Sequence, residues 1–74
     1  MELNKFIQDF ASHIEDLAQE LSHDTEFKAL NVWDSMNALA IIAMIDRNYN
    51  KQITGDQLEE VKTIEDLFNL VRNN

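Results

Sequence analysis

Ser35 follows Asp34 and opens an almost uninterrupted apolar run from Met36 to Ile45. Aspartate is a strong helix N-cap and such a run suits a buried helix, so Asp34-Ser35-Met36 reads as a loop-to-helix junction. The Ser35 hydroxyl then sits at a helix N-terminus, where free backbone N–H groups and the positive end of the dipole favour a phosphate. Nucleophilic catalysis fits poorly. The Gly-x-Ser-x-Gly frame is missing, and the histidines available as a base are His13 on the first predicted helix and His23 in a loop. A serine that carries a phosphodiester is the reading adopted for this position, against the plainer one in which Asp and Ser only cap a helix.

Other constellations carry less. Asp46-x-Asn48-x-Asn50 imitates the start of a calcium loop, but its sixth position is Lys51 instead of the turn glycine and its twelfth is Gln57 instead of a bidentate glutamate. No metal site is assigned there. The pairs Glu15/Asp16, Glu59/Glu60 and Glu65/Asp66 read as solvated helix faces, and His13 and His23 as surface or edge residues. No residue is assigned a catalytic role.

The elements that must position Ser35 follow from periodicity. Leu3, Ile7, Phe10, Ile14, Leu17 and Leu21 recur at steps of four and three, widened by Phe6, Ala11 and Ala18, which predicts a long first helix ending near Leu21. A loop from Ser22 follows, anchored by Phe27 and Leu30. The second helix spans about Ser35 to Tyr49. On a helical wheel Ala38, Leu39, Ile42, Ile45 and Tyr49 share the expected core face, and Met36, Asn37, Ala40, Met44 and Arg47 an unusually apolar outer face. Ile53 is expected to return to the core. Thr54-Gly55-Asp56-Gln57 predicts a capping box for a short third helix through Val61. Thr63-Ile64-Glu65-Asp66 opens a last helix with Ile64, Leu67, Phe68 and Val71 on one face. The expected fold is all-α: a four-helix bundle with a long first loop and a short third helix, forming one domain over residues 1–74.

Composition narrows the function. A chain of 74 residues has room for one domain and buries only about 60% of its unfolded surface. It has no cysteine, which excludes disulfides and thiolate metal sites, so any thiol chemistry arrives with a cofactor. Fourteen acids against six bases give a net charge of −8, which disfavours nucleic acid and anionic membranes and favours basic protein patches. Residues 1–34 hold eight acids and two bases, residues 35–53 one acid and two bases, and residues 54–74 five acids and two bases. The segment after Ser35 is thus the least acidic. The polar Met1 end does not resemble a signal peptide, and the longest apolar run is too short for a bilayer span, so a soluble, cytoplasmic protein is expected, and a monomer is the expected oligomeric state.

From about residue 3 to 71 the chain resembles the acyl carrier protein family. The residues that carry the resemblance are Phe27 eight positions before the serine, Asp34-Ser35-Met36 in place of Asp-Ser-Leu, Asp46-Arg47-Asn48-Tyr49, Ile53 and Thr63-Ile64. The resemblance implies 4'-phosphopantetheine, transferred from coenzyme A by a separate magnesium-dependent phosphopantetheinyl transferase, on Ser35, flanked by Asp34 and Met36. The transferase would supply the base and the cofactor the thiol, which accommodates a chain without cysteine. Implied partners are the transferase and acyl-loading, ketosynthase, reductase or acyltransferase enzymes of fatty-acid, polyketide or related specialised pathways. They would meet the face of Met36, Asn37, Ala40, Met44 and Arg47, and the cargo would rest partly between the second and third helices.

The departures from the family pattern matter. Asn31-Val32 replaces an upstream Leu-Gly, Trp33 precedes Asp-Ser as in stand-alone carriers of specialised pathways, and Asn37 and Ala40 stand where fatty-acid carriers are usually acidic. Partner enzymes of a different charge are expected. A peptidyl or aminoacyl carrier, which Asp-Ser-Met allows, and an unmodified helical interaction module stand as alternatives.

Overall fold

The computed structural model of the chain describes residues 2–73. Met1 and Asn74, the ends of the expected single domain, lie outside the described residues. Four helices follow one another: α1 (Leu3–Ser12), α2 (Ser35–Tyr49), α3 (Gly55–Glu60) and α4 (Ile64–Asn73), with a 3-10 turn at Phe27–Ala29 in the first loop. Among the described residues there is no strand. α1 packs on α4 and α2, and α2 on α3. Phe6, Phe10, Phe27, Ile41, Ile45, Ile64, Leu67 and Val71 are wholly buried between them. The expected all-α bundle with a long first loop and short third helix is the architecture observed.

The first helix is shorter than its periodicity predicts, ending at Ser12 and not near Leu21. Its last turn loses a competition for one carbonyl. Asp9 O would accept from the His13 backbone N–H if the helix continued, but the Ser12 hydroxyl donates to it at 2.8 Å and the His13 ring Nδ1 lies at 2.8 Å. His13 N–H turns instead to Phe10 O at 3.1 Å. Short polar side chains that bond the backbone end helices in this way. The chain then reverses through Asp16, at φ 60°. The apolar stripe survives the loss of helix: Ile14 is buried, and Leu17 and Leu21 pack on the core from irregular backbone.

The other ends are capped as the residue types dictate. Thr54 and Gln57 form the expected capping box, hydroxyl to Gln57 N–H at 3.1 Å and side-chain oxygen to Thr54 N–H at 2.9 Å. Thr63 and Asp66 exchange the same pair of bonds at 3.1 Å each, and the Thr63 backbone N–H heads the contacts that hold the Asp66 carboxyl below its ordinary value. Two further N–H groups at the start of α4 are satisfied by the long loop, Ile64 by Thr25 O and Glu65 by His23 O, at 3.1 and 2.9 Å. α2 ends at Asn50, left-handed at φ 55°, whose N–H closes onto Asp46 O. Ile53 re-enters the core as expected. α3 is tied to the 3-10 turn because Lys28 Nζ donates to Glu59 O.

Three aromatic rings fix the long loop to α1. Trp33 stacks on Phe10 at 6.2 Å and 9° and meets Phe27 edge-on at 5.0 Å, while Phe10 and Phe27 are 5.2 Å apart. Such pairs contribute about 0.5–1.5 kcal/mol each beyond burial. The chain entering α2 is therefore anchored by its own residue Trp33, two positions before Ser35.

Candidate functional site

Ser35 is the first residue of α2 and is exposed. Asp34, extended at φ −151°, caps the helix by accepting from Asn37 N–H at 2.8 Å. The Ser35 and Met36 N–H groups belong to the first turn, which has no intrahelical acceptors. They leave a partial positive charge beside the hydroxyl. Among the described residues no basic side chain lines the groove beside this position, His13 Nδ1 bonds back to Asp9 O of α1, and His23 Nδ1 lies 3.0 Å from Glu65 Oε1 on α4. The site can hold an ester on an exposed hydroxyl.

Beside Ser35 an open groove of about 450 Å³ runs between α2 and α3, walled by Trp33, Ala38, Leu39 and Ile42 on one side and Gly55 and Glu59 on the other. Gly55 leaves its rim clear, with no atom within 4 Å of where a Cβ would stand apart from its chain neighbours and its own helix backbone. A phosphodiester on Ser35 would meet helix N–H groups and water at one end and this mainly apolar trough alongside. The residues present fit a phosphate-linked arm.

The outer face of α2 differs from the expected one. Met36 is 74% exposed and Arg47 is exposed, as read from the sequence, and Ala40 is half-buried. Asn37 and Met44 are not on it: they are 5% and 1% exposed and face the core with Ile41 and Ile45. Leu39, expected in the core, is 64% exposed. The buried arc is rotated by about 100°, one residue's step on the wheel. α2 is apolar nearly all round, so the pattern alone does not choose a face. The exposed surface next to Ser35 is made by Met36, Leu39, Ala43 and Asp46.

Asn37 is the residue whose role the sequence hid. Its Nδ2 donates to Val32 O at 2.7 Å and its Oδ1 accepts from Glu15 N–H at 3.3 Å. A buried amide so satisfied costs little, and none of the buried side-chain N or O atoms among the described residues lacks a partner. The sequence signal was faint: one amide inside a run of apolar residues. At the far end of α2, Tyr49 is half-buried and its hydroxyl donates to Asp9 Oδ2 at 2.6 Å, while Lys5 Nζ reaches Asp9 Oδ1 at 2.7 Å. The bonds from Lys5 and Tyr49 hold the Asp9 carboxyl below the usual range, and burial with the Asp9 contact raises the Tyr49 phenol.

Comparison with known proteins agrees with this geometry. The fold matches a solution structure of a holo acyl carrier protein from Geobacter metallireducens with a TM-score of 0.76 at 22% identity, covering 96% of this chain and 82% of that one. No curated protein matches the chain. The family described as a phosphopantetheine attachment site matches residues 5–71. With that match spanning nearly the whole four-helix bundle, the chain belongs to the phosphopantetheine attachment-site family, whose members are carriers rather than enzymes and bear a covalent 4'-phosphopantetheine.

Proposed function

We propose that Ser35 is the attachment site and that the protein carries acyl groups as thioesters to the enzymes of a specialised fatty-acid, polyketide or related pathway in the cytoplasm. The observation that carries this reading is the placement of one exposed serine at the first position of α2, capped by Asp34 and opening onto the α2–α3 groove. The arm supplies the thiol that a chain without cysteine lacks. The chain's own residues hold the helix end that faces the phosphate and present Met36 and Leu39 to partners. Partner enzymes would meet an apolar spot flanked by Asp46 and Arg47 on the same helix, which calls for a matching apolar contact more than for a lysine and arginine cluster.

Intact mass after incubation with coenzyme A, magnesium and a broad-specificity phosphopantetheinyl transferase tests the assignment. One phosphopantetheine should be added to the wild type and none to Ser35→Ala. Addition to the Ser35→Ala chain would refute it.

A further inference from the structure

We infer that Asn37 is a positioning residue for Ser35: its buried amide ties the loop after α1 and the loop before α2 to the first turn of the helix, and so sets how the serine is presented to the transferase. The inference rests on Ser35 being the attachment site. Three separate stretches of backbone meet at this one residue. Nδ2 holds Val32 O at 2.7 Å, Oδ1 holds Glu15 N–H at 3.3 Å, and the residue's own N–H closes the Asp34 cap at 2.8 Å.

The side-chain bonds use one donor and one acceptor, a combination that aspartate, alanine or leucine does not offer at this length. The backbone groups they satisfy have no helical partner, because Glu15 lies in the irregular stretch beyond α1 and Val32 in the loop before α2. Val32 and Trp33 pack on the core, yet a hollow of about 260 Å³ remains at this junction, with Glu15, Asp16, Val32, Trp33, Met36 and Asn37 among the residues that line it. Hydrogen bonds, together with the Trp33 ring, therefore fix the approach to Ser35.

Without the amide the junction would populate its ordered form only part of the time. Binding to the transferase restores that form, so the apparent affinity falls by the ordered fraction while turnover at saturation is retained. A loss of stability elsewhere in the bundle has no such signature. Val71 on α4, wholly buried and far from the junction in sequence, serves as the comparison.

The experiment measures transfer of phosphopantetheine from coenzyme A by intact mass across a range of carrier concentrations, for the wild type, Asn37→Ala, Asn37→Asp and Val71→Ala. Amide hydrogen exchange at Glu15, and at Ala38, whose N–H bonds to Asp34 O at 3.0 Å in the first turn, is followed by NMR in the same proteins. Asn37→Ala should raise KM about tenfold with kcat nearly unchanged and should speed exchange at both amides. Asn37→Asp keeps the acceptor for Glu15 but loses the donor to Val32, and should raise KM less; it carries the test if Asn37→Ala does not fold. Val71→Ala should lower Tm and leave KM alone. An unchanged KM in both Asn37 variants, or an equal rise in Val71→Ala, would overturn the inference. A wild type that gains no mass would instead refute the Ser35 assignment, and unchanged exchange in the Asn37 variants would then overturn the positioning role on its own.

Discussion

α4 and α2 are both built on apolar residues, yet one was legible and the other was not. In α4 the residues expected inside, Ile64, Leu67, Phe68 and Val71, are the ones buried, because Glu65, Asp66, Asn69 and Arg72 interrupt the stripe and leave it one way to face. In α2 only Asn37 interrupts an apolar stretch that runs from Met36 to Ile45. Its face was chosen by what it packs against. The excess apolar surface shows as Met36 and Leu39 in solvent. A helix that spends apolar residues on its outside is poorly specified by pattern and well suited to recognition.

The comparison can be broken most sharply at Ser35. Ser35→Ala should abolish the transferase-dependent mass gain entirely while costing the fold about 0.5–1 kcal/mol or less. Circular dichroism and thermal melting would check the second half. A large loss of stability would make the junction a structural cap like that of α4.

Met44 and Leu39 come next. Met44→Ala should destabilise by about 2–5 kcal/mol, as a buried truncation does. Leu39→Ala should stay within about 0.5 kcal/mol. Denaturant unfolding separates them, and the reverse order would restore the face read from the sequence. The same Leu39→Ala, combined with Met36→Ala, should weaken partner encounter by about 1–2 kcal/mol in kcat/KM for loading enzymes if these side chains are central to the contact. Unchanged loading would leave α2's exposed apolar face without a recognition role.

A smaller effect than that of Met44→Ala is expected at the other end of α2. Tyr49→Phe removes one hydrogen bond to Asp9 and should cost about 0.5–1.5 kcal/mol near neutral pH. The pH dependence has a definite sign. Asp9 is held below its ordinary 3.8, so its contribution is complete above that value and is lost as pH falls through the lower folded value. The Tyr49 phenol is raised above its ordinary 10.0, so its contribution is complete below that value and fades only as pH rises above it. Thermal melts from neutral to acid pH should therefore fall less steeply for Tyr49→Phe than for the wild type. Parallel curves would show that the contact does not couple α1 to α2.

Much of the site was readable because its chemistry is local. Asp34 as N-cap and Ser35 as first helical residue need only neighbouring residues and the geometry of a helix start. The Thr54–Gln57 box and the Thr63 start of α4 belong to the same class. Asn37 was misread because its two bonds reach Val32 and Glu15, the latter 22 positions away. No local rule names those partners. Helix α1 was drawn too long because Ile14, Leu17 and Leu21 keep a helical spacing of buried residues after the helix has ended, and burial, unlike backbone hydrogen bonding, does not require the helix.

The sequence by itself determined the all-α class, the helix starts, the buried stripe of α4 and the serine at the head of α2, since caps and period depend on residues within one or two turns. Tertiary structure alone decided which way α2 faces and what Asn37 holds, whereas α1 stops where Ser12 and His13, three and four residues on, take the Asp9 carbonyl. The first two outcomes turn on which distant groups meet at one core surface and one buried amide, and a linear pattern contains those groups without saying which of them meet.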